Sequence, residues 1–293
     1  AAAAAAAVPT MNATEEAARV GTEKRAMPAP EAASQRSAQE ATGGEPAGRR
    51  IDAVGPNPGE EHQITLIYLH GFSRNGKEYL PGERMSFCMP WNDGGDHCPG
   101  LRAVFPTARK LKQTWTKEVE PAWYAYSACW DNQVADEATL NDTREWLSEI
   151  VHDELARLGG KSERLFLGGA SQGCTVAMDS YFRLTPQLRL GGFVGNTGFV
   201  PSDRMGFTGA NAALNALLED EELAARPLWI QCAIDDRKEV PWDSLANPSL
   251  QRVRGKLSKL CVREVSGRGH SIEDWEGHVV NDFIRFYCKF AYQ

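Results

Sequence analysis

The chain has 293 residues, of which 42% are hydrophobic and 24% are charged, and its formal net charge at pH 7 is −7. This composition supplies enough apolar material for a sizeable core, and the acidic balance argues against a protein that binds nucleic acid or anionic lipid through a basic surface. No run approaches the roughly 18 apolar residues of a membrane-spanning helix, so we expect a soluble protein without stable membrane insertion.

Residues 1–58 differ from the rest of the chain, because they contain almost no large hydrophobes and no aromatics. Such a segment cannot bury enough apolar surface to offset the entropy lost on ordering. Its recurring glutamates argue against a transit peptide, which is poor in acidic residues. The sequence therefore predicts a disordered, low-complexity tail over residues 1–58 and one domain over residues 59–293.

The seven cysteines are dispersed along the chain without paired spacing. This pattern favours a reducing compartment, and hence a cytoplasmic protein, over a disulfide framework. The segment from Cys88 to Cys98 is compatible with a metal site or a loop disulfide, but it lacks the closely spaced ligand pairs of structural zinc sites. We therefore predict no metal and leave the disulfide open.

From about residue 60, short apolar runs alternate with longer segments of helical period. The runs are mostly apolar throughout, as in strands that are covered on both faces; they lie at 64–69, 102–105, 164–168, 191–194, 228–234 and 260–265. Segments of helical spacing lie between and after them, at 140–158, 174–184, 211–225, 249–259 and 273–292. This alternation predicts an α/β fold with a mostly parallel, doubly wound sheet flanked by helices.

The most informative motif is Gly169-x-Ser171-x-Gly173, which stands between a predicted strand and a predicted helix. A serine on such a sharp turn occupies strained backbone, and the flanking glycines let the strand and the helix approach closely. Backbone N–H groups at the start of the helix are placed to stabilise a developing oxyanion. The motif alone is short enough to arise by chance, but its strand–turn–helix context indicates a nucleophilic serine.

A nucleophilic serine needs a base, usually a histidine that a carboxylate orients. Two histidines follow Ser171 in the chain. His270 stands in a glycine-rich loop directly after a predicted strand, whereas His278 falls within the last predicted helix. We therefore favour His270 as the base.

The acid is expected where the preceding strand, 228–234, ends. Asp235 and Asp236 both stand there, and Asp243 lies further along the chain. We favour Asp236 and keep Asp235 as the alternative, since either residue could instead simply begin a polar turn.

A second oxyanion donor is expected at the turn after the first predicted strand. There the chain reads His70-Gly71-Phe72, and the backbone N–H of Phe72 would act together with that of Gln172. His70 precedes Ser171 in the chain, so we interpret it as a structural residue that shapes this turn.

These residues resemble the phospholipase/carboxylesterase family, which includes the acyl-protein thioesterases. The resemblance covers residues 60–290 and is carried by Leu69–Phe72, Pro121–Tyr124, Gly168–Gly173, the end of the strand from Gln231 to Pro241, and Gly269-His270. It implies an α/β-hydrolase fold with no large lid domain, no cofactor, and hydrolysis of carboxylic esters or of S-acyl groups on proteins. By position it also implies that Ser171 is the nucleophile, that His270 is the base and that Phe72 and Gln172 donate to the oxyanion.

The acid departs from the pattern that the resemblance implies. Asp236 stands four residues before Val240, whereas the family's acid stands three residues before its Val-Pro pair. Ala233-Ile234 also replaces the family's His-Gly pair. A one-residue insertion would account for the spacing.

Two stretches, 81–100 and 202–226, are longer than those of the similar family, and loops of this kind often carry specificity. The first contains four large apolar residues that either line an acyl channel or cover the core: Met85, Phe87, Met89 and Trp91. Trp123 presents the same choice, and we predict that it contacts the substrate.

The expected activity is therefore a serine hydrolase acting on acyl esters or S-acylated proteins. One alternative is a catalytically inactive α/β-hydrolase that serves as a binding module, which the altered acid loop suggests. The other is an acyltransferase or a peptidase on the same fold. Nothing in the sequence indicates an oligomeric state.

Overall fold

The computed structural model describes residues 48–85, 98–267, 269–270 and 276–291. The strands in these ranges are β1 (Arg50–Val54), β2 (Ile64–Leu69), β3 (Leu101–Thr107), β4 (Lys110–Lys112), β5 (Val119–Pro121), β6 (Leu165–Ala170), β7 (Gly192–Asn196), β8 (Leu228–Ala233) and β9 (Leu260–Val265). The α-helices are α1 (Glu137–Arg157), α2 (Gln172–Leu188), α3 (Ala210–Glu219), α4 (Glu221–Ala224), α5 (Asn247–Leu250) and α6 (Glu276–Ala291). Among these helices none is long and apolar enough to cross a bilayer.

Seven strands form one sheet in the order β1-β3-β2-β6-β7-β8-β9, and β4 and β5 form a separate hairpin. Only β1 runs antiparallel to its neighbour within the described part of the main sheet. All six predicted strands lie in this sheet, and β2 and β9 have the predicted bounds. The prediction of a mostly parallel α/β sheet is therefore confirmed.

Helices cover both faces of the sheet, as the side chains of β2 show. Ile67 and Leu69 pack in one buried cluster with α1 and α2, whereas Leu66 and Tyr68 pack in a second cluster with α6. Every residue of β2 is buried. This two-sided burial explains why the strand is continuously apolar.

Strand β1 lies inside the segment predicted to be a disordered tail. Its residues pair with β3 from Arg50↔Thr107 to Val54↔Ala103, and Ile51 packs on the core. The sheet therefore begins before the predicted boundary at residue 59. Five residues are too few to alter the composition of a 58-residue segment, and the pairing with β3 supplies their backbone partners. Residues 1–47 lie outside the described residues.

Two predicted helices are shorter than expected. The segment 211–225 divides into α3 and α4 at Asp220, because the Asp220 carboxylate caps the new helix by accepting the N–H groups of Glu222 and Leu223 at 3.0 and 3.1 Å. The segment 249–259 forms α5 and then a series of turns. Gly255 lies in these turns with a φ of +75°, which is not a helical conformation.

Met85, one of the four apolar residues of the long stretch 81–100, is 4% exposed and packs in the cluster with α6. It therefore covers the core. Residues 87, 89 and 91 lie outside the described residues.

Candidate active site

Ser171 occupies the sharp turn between β6 and α2, with φ 54° and ψ −121°. Non-glycine residues rarely adopt this conformation, and its persistence requires support from the surrounding structure. A backbone hydrogen bond from Ser171 N–H to the Asn196 carbonyl, at 2.8 Å, ties the turn to the end of β7. This geometry is the strained turn that the sequence predicts.

The two flanking glycines are required by close backbone contacts. A Cβ on Gly169 would lie 2.7 Å from the carbonyl carbon of Gly173, and a Cβ on Gly173 would lie 2.3 Å from the carbonyl oxygen of His70. Any side chain would force the strand, the helix or the neighbouring turn to move. The glycines therefore let β6, α2 and the turn after β2 meet at one point.

The structure brings Ser171, His270 and Asp236 together from the ends of three strands. Ser171 Oγ lies 2.8 Å from His270 Nε2, and His270 Nδ1 lies 2.6 Å from Asp236 Oδ2. Because a carboxylate accepts, Nδ1 carries the proton and Nε2 accepts from the serine hydroxyl. The carboxyl ends of parallel strands share one edge of a sheet, which is why residues distant in sequence meet here.

The Asp236 carboxylate is held by the loop that follows it. Its Oδ1 accepts the N–H groups of Lys238 and Glu239 at 3.0 and 3.1 Å, and its Oδ2 accepts that of Val240 at 2.9 Å. Burial by itself would raise the pKa of Asp236, but the hydrogen bonds from His270 and from this backbone outweigh it and lower the pKa to about 2. The acid loop with unusual spacing thus encloses an ionised carboxylate.

The other acidic candidates have different partners. Asp235 Oδ2 accepts the N–H groups of Gly267 and Gly269, at 2.7 and 3.1 Å. Asp243 is exposed and forms an ion pair with Arg237. Asp236 is therefore the residue of the three that the structure places on the imidazole of His270. His278 lies in α6, and its side chain is outside the described residues.

The turn after β2 is shaped by His70. Its Nε2 accepts the N–H of Ala108 at 3.0 Å, so its Nδ1–H donates to the carbonyl of Gly71 at 2.7 Å. Burial lowers the pKa of His70 to about 4, so the ring is neutral near pH 7. These contacts agree with the structural role predicted for His70 and fix the backbone that leads into Phe72.

Gln172 is the first residue of α2, where backbone N–H groups have no acceptor within the helix. Its side chain is held from both ends, because Oε1 accepts the N–H of Trp123 at 3.0 Å and Nε2 donates to the carbonyl of Tyr124 at 2.9 Å. Gln172 thereby joins the turn at Ser171 to the Pro121–Tyr124 segment.

Trp123 is fully buried rather than open to a substrate. Its Nε1–H donates to the carbonyl of His70 at 2.7 Å, and its ring packs against the rings of His70 and Trp146. This burial contradicts the predicted substrate contact. Trp123 instead supports the turn after β2 from within the core.

Beside this turn the ring of Phe72 lies among other aromatic residues, of which Trp115 and Trp130 were not predicted from the sequence. We call Phe72, Trp115, Tyr126 and Trp130 the aromatic cluster; their ring centroids lie 5.4 to 6.4 Å apart. Phe72, Trp115 and Trp130 are half-buried. No periodicity marks them, because Trp115 and Trp130 stand in irregular segments. The sequence instead predicted a substrate contact at Trp123, which stands in a Pro-x-Trp motif.

The aromatic cluster also contacts the acid loop. Lys238 Nζ lies 5.8 Å from the centre of a Trp130 ring, a cation–π arrangement. Asn132 Nδ2 donates to the carbonyl of Glu239 at 2.7 Å. The cluster therefore extends from the turn at Phe72 to the loop that holds Asp236.

One group of potential metal ligands occurs among the described residues, formed by Asp236, Glu239 and His270. Asp236 Oδ2 and His270 Nδ1 already form a hydrogen bond, and a cation would compete with it. Cys98, from the segment read as a metal site or a loop disulfide, is disulfide-bonded.

Comparisons of this chain with a family model and with individual proteins point to the same family. The family model described as phospholipase/carboxylesterase matches residues 52–223. Acyl-protein thioesterase 1 of Schizosaccharomyces pombe is 33% identical over 153 residues, which is 52% of this chain and 63% of that protein. Acyl-protein thioesterase 1 homolog 1 of Dictyostelium discoideum is 24% identical over 141 residues, or 48% of this chain and 59% of that protein. The matched part therefore spans less than two thirds of these relatives' length.

Solved structures share the fold. Arabidopsis thaliana SOBER1 has a TM-score of 0.59 at 20% identity, covering 76% of this chain and 98% of that one. Acyl-protein thioesterase 2 of Zea mays has a TM-score of 0.58 at 18% identity, covering 83% and 99%. The family match includes Phe72, Ser171 and Gln172 but ends before Asp236 and His270.

Proposed function

Because the chain belongs to the phospholipase/carboxylesterase family, we propose that it hydrolyses carboxylic esters or S-acyl thioesters through an acyl-enzyme on Ser171. The observation that carries this proposal is the hydrogen-bonded series from Ser171 Oγ through His270 to Asp236, with distances of 2.8 and 2.6 Å. A buried serine on a strained turn, with an imidazole nitrogen facing its hydroxyl, is the arrangement that nucleophilic acyl transfer requires. The α/β-hydrolase domain proposed to carry it includes strand β1.

The reaction begins when His270 Nε2 takes the proton of Ser171 as Oγ attacks the acyl carbonyl carbon. The carbonyl electron pair moves to oxygen, and the resulting oxyanion accepts hydrogen bonds from the backbone N–H groups of Phe72 and Gln172. When the tetrahedral intermediate collapses, the bond to the leaving group breaks and His270 protonates the departing alcohol or thiol.

Water then attacks the acyl-enzyme by the same route. His270 removes a proton from the water as the water oxygen attacks the acyl carbon, and the second tetrahedral intermediate uses the same N–H donors. When it collapses, the bond from the acyl carbon to Ser171 Oγ breaks, His270 returns the proton to Oγ, and the carboxylic acid is released. Asp236 stays ionised throughout, because the hydrogen bonds from His270 and from the backbone of its own loop lower its pKa. Its role is to hold the tautomer and the orientation of His270 and to stabilise the imidazolium.

The aromatic cluster is our proposed contact for the acyl group. Phe72 belongs both to the cluster and to the proposed oxyanion turn, and its ring centroid lies 6.4 Å from that of Trp115 and 5.7 Å from that of Trp130. Half-buried aromatic rings favour an apolar chain over a polar one. The names of the relatives add S-acylated proteins to the candidate substrates.

The altered spacing of the acid loop first suggested an inactive binding module. The contact of 2.6 Å between His270 and Asp236 supports an active hydrolase over that alternative. No contact of the described residues favours a peptidase or an acyltransferase over a hydrolase.

The test combines labelling by a fluorophosphonate probe with hydrolysis of p-nitrophenyl esters, a palmitoyl-thioester peptide and a matched amide. We expect the wild-type chain and a Ser258→Ala control, which changes an exposed serine, to be labelled and to cleave the esters or the thioester. Ser171→Ala should lose both properties, and Asp236→Asn should lose about 10⁴-fold in kcat. A wild-type chain that is not labelled, or that cleaves the amide faster than the ester, would overturn the proposal.

A further inference from the structure

Asp235 and Asp236 are adjacent at the end of β8, yet their carboxylates hold different parts of the same loop. Asp236 bonds to the ring of His270. Asp235 Oδ2 accepts the backbone N–H groups of Gly267 and Gly269 at 2.7 and 3.1 Å. These two glycines lie between the end of β9 and His270. One aspartate therefore contacts the side chain of the proposed base, and its neighbour contacts the main chain that carries it.

Among the described residues, no side chain packs against these two glycines. Gly267 and Gly269 have φ values of +98° and +56°, and a Cβ built on either would meet nothing within 4 Å. Glycine loses more conformational entropy on ordering than any other residue, and packing does not restrain these two. Hydrogen bonds to an ionised carboxylate are stronger than bonds between neutral groups. The Asp235 carboxylate is thus the restraint that these glycines contact.

We propose that Asp235 is a positioning residue, which anchors the backbone at Gly267 and Gly269 so that His270 Nε2 stays within hydrogen-bonding distance of Ser171 Oγ. The inference rests on the proposed function, because it assigns Asp235 a part in the same reaction. Asp235 touches neither the substrate nor the reacting atoms. It acts through the backbone of Gly267 and Gly269.

The test is a series of substitutions at Asp235 that separates the acceptor oxygen from the charge. Asp235→Ala removes the acceptor, and since displacing a catalytic group by about 1 Å can cost about a hundredfold, we expect kcat to fall by about ten- to a hundredfold. KM should change by less than about twofold, because the substrate contacts are untouched. The rate of fluorophosphonate labelling at Ser171 should fall in parallel with kcat.

Asp235→Asn is the rescue variant. Both N–H groups donate to a single oxygen, Oδ2, so the amide oxygen of asparagine is able to accept both of them. We expect kcat within about fivefold of the wild-type value, since neutral hydrogen bonds are roughly half as strong as charge-assisted ones. Asp235→Glu keeps the charge but displaces the oxygens by one methylene, and its kcat should fall below that of the asparagine variant. Asp243→Ala is the control, because Asp243 is exposed and pairs with Arg237.

Thermal unfolding measures the folded fraction of each variant. A substitution that only reduces this fraction would lower every measured rate by the same factor. The inference would be overturned if folded Asp235→Ala kept at least half of the wild-type kcat, or if the asparagine and glutamate variants were equally impaired. If Asp235→Ala does not fold, the kcat values of Asp235→Asn and Asp235→Glu still test the inference. Activity retained by Asp236→Asn but lost by Asp235→Asn would instead contradict the acid assigned in the proposed function.

Discussion

The carbonyl oxygen of His70 lies directly against Gly173, so that a Cβ on Gly173 would be 2.3 Å from it. The carbonyl oxygen of Leu69 would be 2.5 Å from the same Cβ. This contact presses the turn that holds Phe72 against the first turn of α2. Because the contact is between backbone atoms, no side-chain rotation could make room for a residue larger than glycine. The spacing of the two proposed oxyanion donors therefore depends on this contact.

Gly173→Ala should therefore damage both stability and activity. We expect a loss of about 1–3 kcal/mol in the free energy of unfolding from overpacking. We also expect a fall of about a hundredfold or more in kcat, because the two N–H donors are displaced. Urea denaturation and p-nitrophenyl acetate hydrolysis measure the two effects. Gly55→Ala is the control, since a Cβ there meets nothing within 4 Å; equal effects in the two variants would contradict this account.

His70 should make the protein less stable as the pH falls. Burial lowers the pKa of His70 from 6.5 to about 4 in the folded state. Between these values the unfolded chain binds a proton that the folded chain does not, so about 3 kcal/mol of stability is lost as the pH falls from about 6.5 to about 4. We expect urea unfolding at several pH values to show this slope in wild type and in His152→Gln, where the histidine is exposed. A slope unchanged in His70→Gln would contradict the prediction.

Asp236 should destabilise the fold only in stronger acid. Its pKa is lowered from 3.8 to about 2 in the folded state, so its contribution is fully present above pH 4 and is lost as the pH falls towards 2. The shift corresponds to about 2 kcal/mol. The stability difference between wild type and Asp236→Asn should shrink by about this amount over that range. The free energy of unfolding of Asp243→Asn should change with pH as that of the wild type does. If the stability difference between wild type and Asp236→Asn stayed constant over this pH range, the carboxylate would not be held as described.

Protonation of Asp236 should also be absent from the activity profile above about pH 4. This follows from the same lowered pKa. The measurement is kcat/KM of p-nitrophenyl acetate against pH, in the range where the folded fraction is constant. A fall in kcat/KM towards low pH, above about pH 4, that is lost in Asp236→Glu but kept in Asp243→Asn would belong to Asp236. That result would contradict the prediction.

Trp130→Ala should affect long acyl chains more than short ones. The Trp130 ring packs against Phe72 with centroids 5.7 Å apart, and its removal takes apolar surface from the proposed acyl contact. We expect kcat/KM for a p-nitrophenyl octanoate to fall by about tenfold or more, and that for the acetate by less than about threefold. Trp229→Ala, which removes a half-buried tryptophan from the face covered by α6, is the control. Equal losses for both esters would argue against an acyl contact.

The apolar runs of the sequence predicted the six parallel strands well, because a strand buried on both faces leaves little room for polar residues. Strand β1 and the hairpin of β4 and β5 were missed. The three apolar residues of β1 are only partly buried, the buried residue of the strand is the polar Asp52, and the strand pairs with β3. Strands of this kind carry little local signal, since their partner lies about fifty residues away.

Ser171, His270 and the turn at Phe72 could be selected from sequence alone, because a glycine-flanked serine between a strand and a helix is a local pattern. The choice between Asp235 and Asp236 could not. Adjacent residues at the end of a strand present the same chemistry, and only the path of the loops that follow decides which carboxylate reaches the imidazole and which reaches the backbone of Gly267 and Gly269.

The sequence by itself determined the order of the elements and indicated the turn at Ser171 and the candidate base His270, since these follow from periodicity and from the conformational demands of glycine and serine. Tertiary structure alone decided that Trp123 is buried, that Trp130 contacts both Phe72 and Lys238, and that Asp235 accepts hydrogen bonds from the loop before His270. The physical reason is that these three roles depend on contacts between segments distant in the chain. Such contacts are set by how the loops close over the sheet, and no local pattern of residues specifies them.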